Sequence, residues 1–219
     1  PELKPEHGKK YFASLQYFLE PSGLVGMSYY KLDIKDMQIT GIAVDPASVG
    51  FGADEYPGYT FRSAQNVPGT STNEGLSFEY SQQLTFLPGA FKGLSLFGSV
   101  TRVNPDGERQ NMPERAMNWG IGYNYGSFDF KINGNYQGDY RVSPLSNTPT
   151  TANNGILYHT SRDLWNVSAS YKYSKNFEIQ LAGRNIFNEP DVIYSNVPSR
   201  VQQYTIYGSM WNFGVKAKF

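Results

Sequence analysis

Alternation of apolar and polar residues with a period of two is the dominant pattern of the chain. From Met117 to Tyr125, apolar side chains at odd positions alternate with asparagine and glycine at even positions. The same pattern recurs from Phe128 to Gln137 and from Trp165 to Tyr173. A strand places successive side chains on opposite faces, so this period predicts two-faced β-strands. Helical periodicity with start signals is hard to find, which indicates an almost entirely β protein.

Nine segments carry this pattern and predict nine strands. A second interpretation starts the third strand near Tyr59 and carries it through Asn66 to Thr72 as one long, bulged strand. The approximate bounds of the nine segments are 9–20, 24–39, 72–87, 93–104, 115–125, 127–141, 162–173, 177–188 and 202–219.

The connections between these segments alternate between short and long. The short ones are tight turns near 20–23, 87–89, 126–127 and 174–176. The long ones are polar and rich in Gly, Pro, Asn, Ser and Thr, and they cover about 40–71, 105–114, 142–161 and 189–201. Short turns at one end and long loops at the other are typical of an outer-membrane barrel. A soluble sandwich has no reason to obey this rule.

Aromatic residues lie within a few positions of the short turns, as expected of a girdle at the headgroup level of a membrane. Alternation alone does not say which face is wet, so a soluble sandwich with the aromatic face as its core remains an alternative. The aromatic residues beside the turns are Tyr17, Phe86, Tyr125, Phe128, Tyr173 and Phe177.

Composition narrows the classes of function. The 219 residues include 17 Tyr, 14 Phe and 3 Trp, yet only 17% are charged, fewer than on an ordinary soluble surface. The formal net charge is zero, so nothing suggests a nucleic-acid partner. Cysteine is absent and the chain has two histidines, which excludes thiol chemistry and His-rich metal sites. With a mean hydropathy of −0.49, the chain has no apolar run of about 18 residues for a spanning helix.

The C-terminal strand resembles the assembly signal of bacterial outer-membrane barrels, which the outer-membrane assembly machinery reads. In that signal a polar residue is followed two positions later by Gly, with hydrophobic residues at the antepenultimate and last positions. Ala217 is the weak member of the match, because an aromatic is more usual there. The matching residues are Asn212, Gly214, Ala217 and Phe219.

Further motifs resemble the C-terminal part of the barrel of a TonB-dependent outer-membrane receptor. Leu181 to Asn188 is similar to the family's penultimate strand, and Leu3-Lys4-Pro5-Glu6 to the motif that introduces an earlier strand. Gly23 to Met37 resembles the strand that climbs to an extracellular loop, and Asn73 to Glu79 resembles the Gly-aliphatic-Glu strand, with Ser77-Phe78 as a departure. The matches occur in the family's order along nearly the whole chain.

The resemblance implies an all-β fold: an up-and-down, antiparallel transmembrane barrel of about 22 strands, of which residues 1–219 supply about nine C-terminal ones. The plug domain and the earlier strands are then expected to be absent. An odd strand number agrees, because single-chain bacterial barrels have even numbers. The expected location is the outer membrane of a Gram-negative bacterium, in contact with the lipid bilayer.

Within the family, an energy-coupled receptor imports a scarce nutrient, most often a ferric siderophore complex. The TonB inner-membrane complex is the expected partner, acting through the plug segment. In this family the extracellular loops bind the ferric chelate. Arginines there can pair with its anionic groups, and aromatic rings can stack on its flat parts. We expect Arg141 and Arg162 to flank one loop. The candidate ligand-binding residues are Tyr56, Arg62, Arg141, Tyr158, His159, Arg162 and Arg200.

Catalysis, a cofactor and a resident metal are not expected, because no nucleophile elbow, phosphate-binding Gly loop or pair of metal-spaced histidines is present. The polar rows around Asp129 to Gln137, with Glu178, Gln180 and Arg184, predict a hydrophilic wall facing a lumen. Three alternatives remain: a complete small porin or adhesin barrel without energy coupling, a barrel enzyme acting on lipid or peptide, and a soluble carbohydrate-binding β protein.

Overall fold

The structure is a computed structural model that describes residues 3–52, 55–56, 59, 61–104, 111–142 and 156–218, apart from the side chains of 41–43 and 48–49. Strands dominate it, with short 3-10 helices at Pro46–Val49 and Gly89–Gly93. Among the described residues, no helix has the length and apolar character needed to cross a membrane. The strands are β1 His7–Leu19, β2 Gly23–Lys35, β3 Gln38–Val44, β4 Phe61–Asn66, β5 Thr70–Gln83, β6 Leu94–Asn104, β7 Arg115–Tyr125, β8 Phe128–Gln137, β9 Tyr140–Arg141, β10 Leu157–His159, β11 Arg162–Ser174, β12 Phe177–Arg184, β13 Asp191–Ser195, β14 Val201–Thr205 and β15 Met210–Ala217.

Nine of these strands form one antiparallel meander in the order β1-β2-β5-β6-β7-β8-β11-β12-β15. They coincide with the nine strands that the alternation predicts, which confirms the all-β meander. The connections between consecutive members alternate between short turns and long segments as predicted, except between β5 and β6. There a ten-residue connection, 84–93, with the 3-10 helix Gly89–Gly93 stands where the sequence predicts a tight turn. Within the described residues β1 and β15 are the two edges of this sheet, because each pairs on one side only.

The register keeps one parity of residues on each face across all nine strands. On one face, Leu96 lies opposite Ile121, which lies opposite Ile132, and the row continues to Val167. We call this apolar side the outward face. On the other, inward face, Gly122, Lys131, Ser168 and Ala182 form the corresponding row. The inward positions include the predicted polar wall of Asp129, Lys131, Asn133, Asn135, Gln137, Glu178, Gln180 and Arg184.

Large apolar side chains are exposed rather than packed into a core. Among the described residues, Met37 and Tyr194 are the buried hydrophobic ones. The aromatic residues beside the short turns are all exposed, from 38% for Phe128 to 74% for Tyr173. A soluble protein rarely leaves such a continuous apolar surface in water, whereas a membrane barrel covers it with lipid.

Several sequence-based strand bounds are wrong. β5 ends at Gln83 rather than 87, β8 at Gln137 rather than 141, and β12 at Arg184 rather than 188. The long, bulged third strand does not form: β4 pairs with β3 in a separate hairpin, and the chain turns at Gly69 before β5 begins. β2 ends at Lys35, since Asp36 adopts a φ of 55°. The final segment divides into β14 and β15, with Gly208 at a φ of 77° between them.

The proposed assembly signal maps onto the edge strand β15. Asn212 and Gly214 occupy inward positions opposite Ala182 and Gln180, and Ala217 occupies an outward position opposite Phe177. Phe219 lies outside the described residues. The role of these residues in assembly stays a prediction.

Two glycines flank Trp119 and provide a matched test of packing on the outward face. A Cβ at Gly134 would lie 2.8 Å from Cε2 of Trp119, whereas one at Gly98 would lie 3.8 Å from its Cβ. We expect Gly134→Ala to displace the ring and disturb its edge-to-face contact with Trp165, at a cost of roughly 1–3 kcal/mol. Gly98→Ala is the control. Urea unfolding followed by tryptophan fluorescence measures both, and equal stabilities of the two variants would contradict the packing.

The assignment of the two faces has its own test at neighbouring positions in the middle of β8. Ile132 lies on the outward face and Asn133 on the inward face. We expect Ile132→Lys to lower the free energy of unfolding in lipid vesicles by about 2–4 kcal/mol, because a charge at the bilayer midplane is poorly solvated. Asn133→Lys should be tolerated. The opposite ranking would show that the faces are reversed.

Candidate functional site

Four short strands lie in the described parts of two long connections and pair into a second sheet. Its order is β14-β13-β10-β9. β9 follows β8 directly and β10 precedes β11, while β13 and β14 come from the connection between β12 and β15. Two separate connections therefore build one surface, which we call the connection sheet.

Register divides the side chains of the connection sheet between two faces. Arg141, Tyr158 and Tyr194 lie in one row, and Tyr140, His159 and Ile193 lie in the next. In the first row, the rings of Tyr158 and Tyr194 stack at 5.5 Å with an interplanar angle of 17°. This row combines a guanidinium with two parallel rings.

A cluster of ionisable groups centred on Asp191 adjoins the second row. Nε2 of His159 lies 2.6 Å from Oδ1 of Asp191, and Nη1 of Arg162 donates to Oδ2 at 3.2 Å. Tyr140 stacks on the imidazole with centroids 4.9 Å apart and planes 7° apart. The side chains of His159 and Asp191 are only 10% and 17% exposed, so solvent screens their contact weakly. The carboxylate thus ties β10 and the start of β11 to β13.

Both ring nitrogens of His159 face acceptors. Nδ1 lies 2.8 Å from the backbone oxygen of Thr160, and Nε2 faces the Asp191 carboxylate. A backbone carbonyl oxygen and a carboxylate are both hydrogen-bond acceptors. The imidazole is then occupied on both sides, and it is not placed to activate a serine nucleophile.

Burial also affects the tyrosines of the connection sheet. It raises the pKa of Tyr140, with the Asp191 carboxylate adding to the rise and Arg162 opposing it. Burial raises the pKa of Tyr194 as well, and Asp139 and Tyr158 contribute. Both phenols are therefore neutral hydrogen-bonding groups at physiological pH.

Four of the seven predicted ligand-binding residues meet in or beside this sheet: Arg141, Tyr158, His159 and Arg162. His159 is 8% exposed and lies on β10, within the segment 142–161 that the sequence predicts as a long connection. Asp191 was missed by sequence reasoning, because only the pairing of β10 with β13 brings it to His159. No local sequence pattern predicts the pairing of β10 with β13.

The other three predicted residues lie elsewhere. Arg62 is exposed on β4, opposite Ala43 of β3, and Arg200 is exposed before β14. Tyr56 is 44% exposed and contacts other aromatic rings of the first long connection. These rings are Phe51, Tyr59 and Phe61.

Metal-ligating groups do not gather at any of these places. Within the part of the chain that the structure describes, no three His, Cys, Asp or Glu side chains are placed to hold a metal ion. Asp45 instead caps the helix at Pro46–Val49 through the backbone nitrogen of Ala47, and Glu55 accepts from the backbone of Gly52.

Three solved receptors share the fold of the whole chain. A ferric enterobactin receptor (PfeA) variant from Pseudomonas aeruginosa has a TM-score of 0.66 at 17% identity, over 99% of this chain and 32% of the receptor. The siderophore receptor PirA from Acinetobacter baumannii has a TM-score of 0.68 at 16% identity, over 100% and 32%. The ferric-catecholate import receptor Fiu from E. coli K12 has a TM-score of 0.60 at 14% identity, over 98% and 28%. The chain thus spans about a third of the length of these receptors.

Sequence comparison agrees with the structural one. No curated protein matches the chain. The family model described as "TonB dependent receptor-like, beta-barrel" matches residues 1–186, most of the chain. Together with the nine-stranded meander and its two-faced register, this match shows that the chain belongs to the TonB-dependent receptor family and represents part of its β-barrel.

Proposed function

We propose that the protein is an energy-coupled receptor that imports a ferric siderophore complex across the outer membrane. Membership of the family implies a location in the bacterial outer membrane. The similar solved structures described as siderophore and ferric enterobactin receptors support the choice of ligand class. Coupling to the TonB inner-membrane complex is part of the same proposal, as is the recognition of Asn212, Gly214, Ala217 and Phe219 by the assembly machinery.

The connection sheet is the observation that carries this proposal. It places Arg141 beside the Tyr158–Tyr194 stack at the long-connection end of the barrel strands. A guanidinium binds anionic oxygen atoms through charge-assisted hydrogen bonds, and parallel rings offer flat apolar surfaces. An anionic chelate with flat organic groups fits this combination.

Arg162 has a different part in the proposal. Its guanidinium donates to Asp191, so its charge is already balanced, and its side chain is 19% exposed. We assign the His159–Asp191–Arg162 cluster to the positioning of β10 and β13, which hold the tyrosine stack. Arg141, which lies in the same row as the tyrosine stack, is the arginine that contacts the ligand.

Tyr56, Arg62 and Arg200 form the outer part of the proposed binding surface. Tyr56 belongs to the exposed aromatic cluster of the first long connection, and Arg62 follows directly after Phe61 of that cluster. Arg200 follows β13 on the connection sheet. Their exposure suits a first, weaker contact with the ligand.

The inward face suits a transport path. Asn118 and Asn135 are hydrogen-bonded to each other there, and Asn124 donates to Asp129 at 3.0 Å. Polar groups of both charge signs retain water and offer hydrogen bonds to a plug domain. No enzymatic step is part of the proposal.

Ligand capture is tested with the double variant Arg141→Ala/Arg162→Ala in the full-length receptor. We expect affinity for a ferric catecholate siderophore to fall at least tenfold, because a guanidinium–anion contact contributes about 1.5–3 kcal/mol. Titration calorimetry of the detergent-solubilised receptor measures it. Lys31→Ala, which removes a cation of the outward face, is the control. Unchanged affinity and uptake in the double variant would refute the role of these arginines.

An uptake assay in whole cells distinguishes the energy-coupled receptor from a passive pore. Uptake of the radiolabelled ferric complex should stop when the TonB complex is deleted from the host cells. Continued uptake in such cells would favour the porin alternative over energy coupling.

The positioning cluster has a separate test. Asp191→Asn removes the carboxylate that contacts both His159 and Arg162, so the pairing of β10 with β13 should weaken by about 2–3 kcal/mol. Hydrogen exchange read by mass spectrometry should then show faster exchange in β10 and β13, with the barrel strands unchanged. Glu55→Gln, a carboxylate of another connection, is the control. Unaltered exchange in Asp191→Asn would show that the cluster does not hold the sheet.

A further inference from the structure

Two arginines stand side by side on the outward face. Arg102 of β6 and Arg115 of β7 are directly opposite partners in the antiparallel register, and both side chains are exposed. Like charges in directly opposite positions destabilise a sheet. An anion bound between the two guanidinium groups replaces their mutual repulsion by attraction, because each guanidinium can donate hydrogen bonds to the anion.

No carboxylate balances this pair among the described residues, where neither arginine forms an ion pair. Two outward-facing lysines, on β1 and β2, have carboxylates at neighbouring positions. Lys31 lies 3.6 Å from Asp33 and opposite Glu74, and Lys9 lies opposite Asp33. Glu74 is itself occupied, since it accepts a hydrogen bond from the hydroxyl of Tyr29 at 2.9 Å. The arginine pair therefore differs from Lys9 and Lys31, each of which has a carboxylate opposite it.

The height of the pair on the barrel wall is set by strand length. β7 runs 11 residues from Arg115 to Tyr125, which lies at a short turn. At about 3.4 Å per residue this is roughly 34 Å along the strand, or about 26 Å along the membrane normal for a tilt near 40°. The apolar band of such barrels is about 25 Å tall. The arginines thus lie at the headgroup level of the leaflet opposite the short turns.

Apolar side chains continue directly below the arginines. Val100 and Met117 form the adjacent row of the outward face, and Trp119 follows in the row after that. A cationic pair above an apolar surface matches the two parts of a membrane lipid, a charged headgroup and its acyl chains. A free inorganic anion would use only the first part.

We propose that Arg102 and Arg115 form a binding site for the phosphate group of an anionic lipid in the outer leaflet, with its acyl chains against Val100, Met117 and Trp119. The site rests on the outward orientation of the two arginines in the membrane. It does not depend on which nutrient the receptor transports.

Native mass spectrometry of the full-length receptor, released from an uncharged detergent after titration with lipid A, tests the site. Lipid A is the probe because it carries phosphate groups and acyl chains. At about fivefold for each basic residue, Arg102→Ala/Arg115→Ala should bind it roughly 25-fold more weakly than the wild type. Arg102→Lys/Arg115→Lys should retain part of the affinity, because it keeps both charges. Lys9→Ala/Lys31→Ala should bind like the wild type.

The outcomes distinguish three explanations. Equal affinity in the alanine variant and the wild type would overturn the proposal, provided that both give the same β-sheet circular dichroism. Full displacement of lipid A by millimolar inorganic phosphate would assign the arginines to free anions and overturn the lipid site. Asp106 and Glu108 lie between the two strands in sequence and outside the described residues. A variant of both tests whether acidic groups there compete with the lipid for the arginines. If Asp106→Asn/Glu108→Gln removes lipid binding rather than preserving or strengthening it, the proposal also fails.

Discussion

Everything else in the molecule depends on the continuous register of the nine-stranded ladder. A slip of one residue on a single strand would move its whole apolar set to the other face. From Leu96 through Ile121 and Ile132 to Val167, the outward row passes through four strands without such a slip. The shift at 172–174 lies beside a turn and leaves the other pairs of its strands in register. Hydrocarbon cannot satisfy backbone hydrogen bonds, so a ladder of this kind is what permits an apolar face to meet lipid. The same ladder brings the long connections to one end.

The meander could be predicted because its signal is local. Period-two alternation and tight turns need no knowledge of distant residues, and all nine strands appear near their predicted places. The points where strands leave the sheet could not be predicted, because β3 follows β2 after only Asp36 and Met37, and β14 is separated from β15 by the short segment 206–209. What separates them is a few backbone positions, such as Asp36 at a φ of 55° and Gly69 at 95°. Aspartate tolerates the left-handed region but does not require it, so its presence in the sequence does not mark the break.

The candidate site could be predicted only as a set of residue types. Arginines and aromatic residues in the long connections indicate a binding surface, and four of the seven candidates are indeed neighbours. The partner that organises them, Asp191, is 32 residues from His159 and lies in a segment with no distinctive pattern. Its role follows from the pairing of two three-to-five-residue strands, whose propensities are too weak to detect. The burial of His159 follows from the same pairing, which is why it appeared to be a loop residue in the sequence.

The joint construction of the connection sheet has a consequence for the exchange of surface segments between related receptors. β9 and β10 belong to one connection, and β13 and β14 belong to another, so each supplies hydrogen-bond partners to the other's backbone. A chimaera that received only one of them would leave the backbone groups at the β10–β13 seam unpaired and would separate His159 from Asp191. Recombination and loop grafting at this end of the barrel should therefore preserve a foldable surface only when both connections come from the same parent.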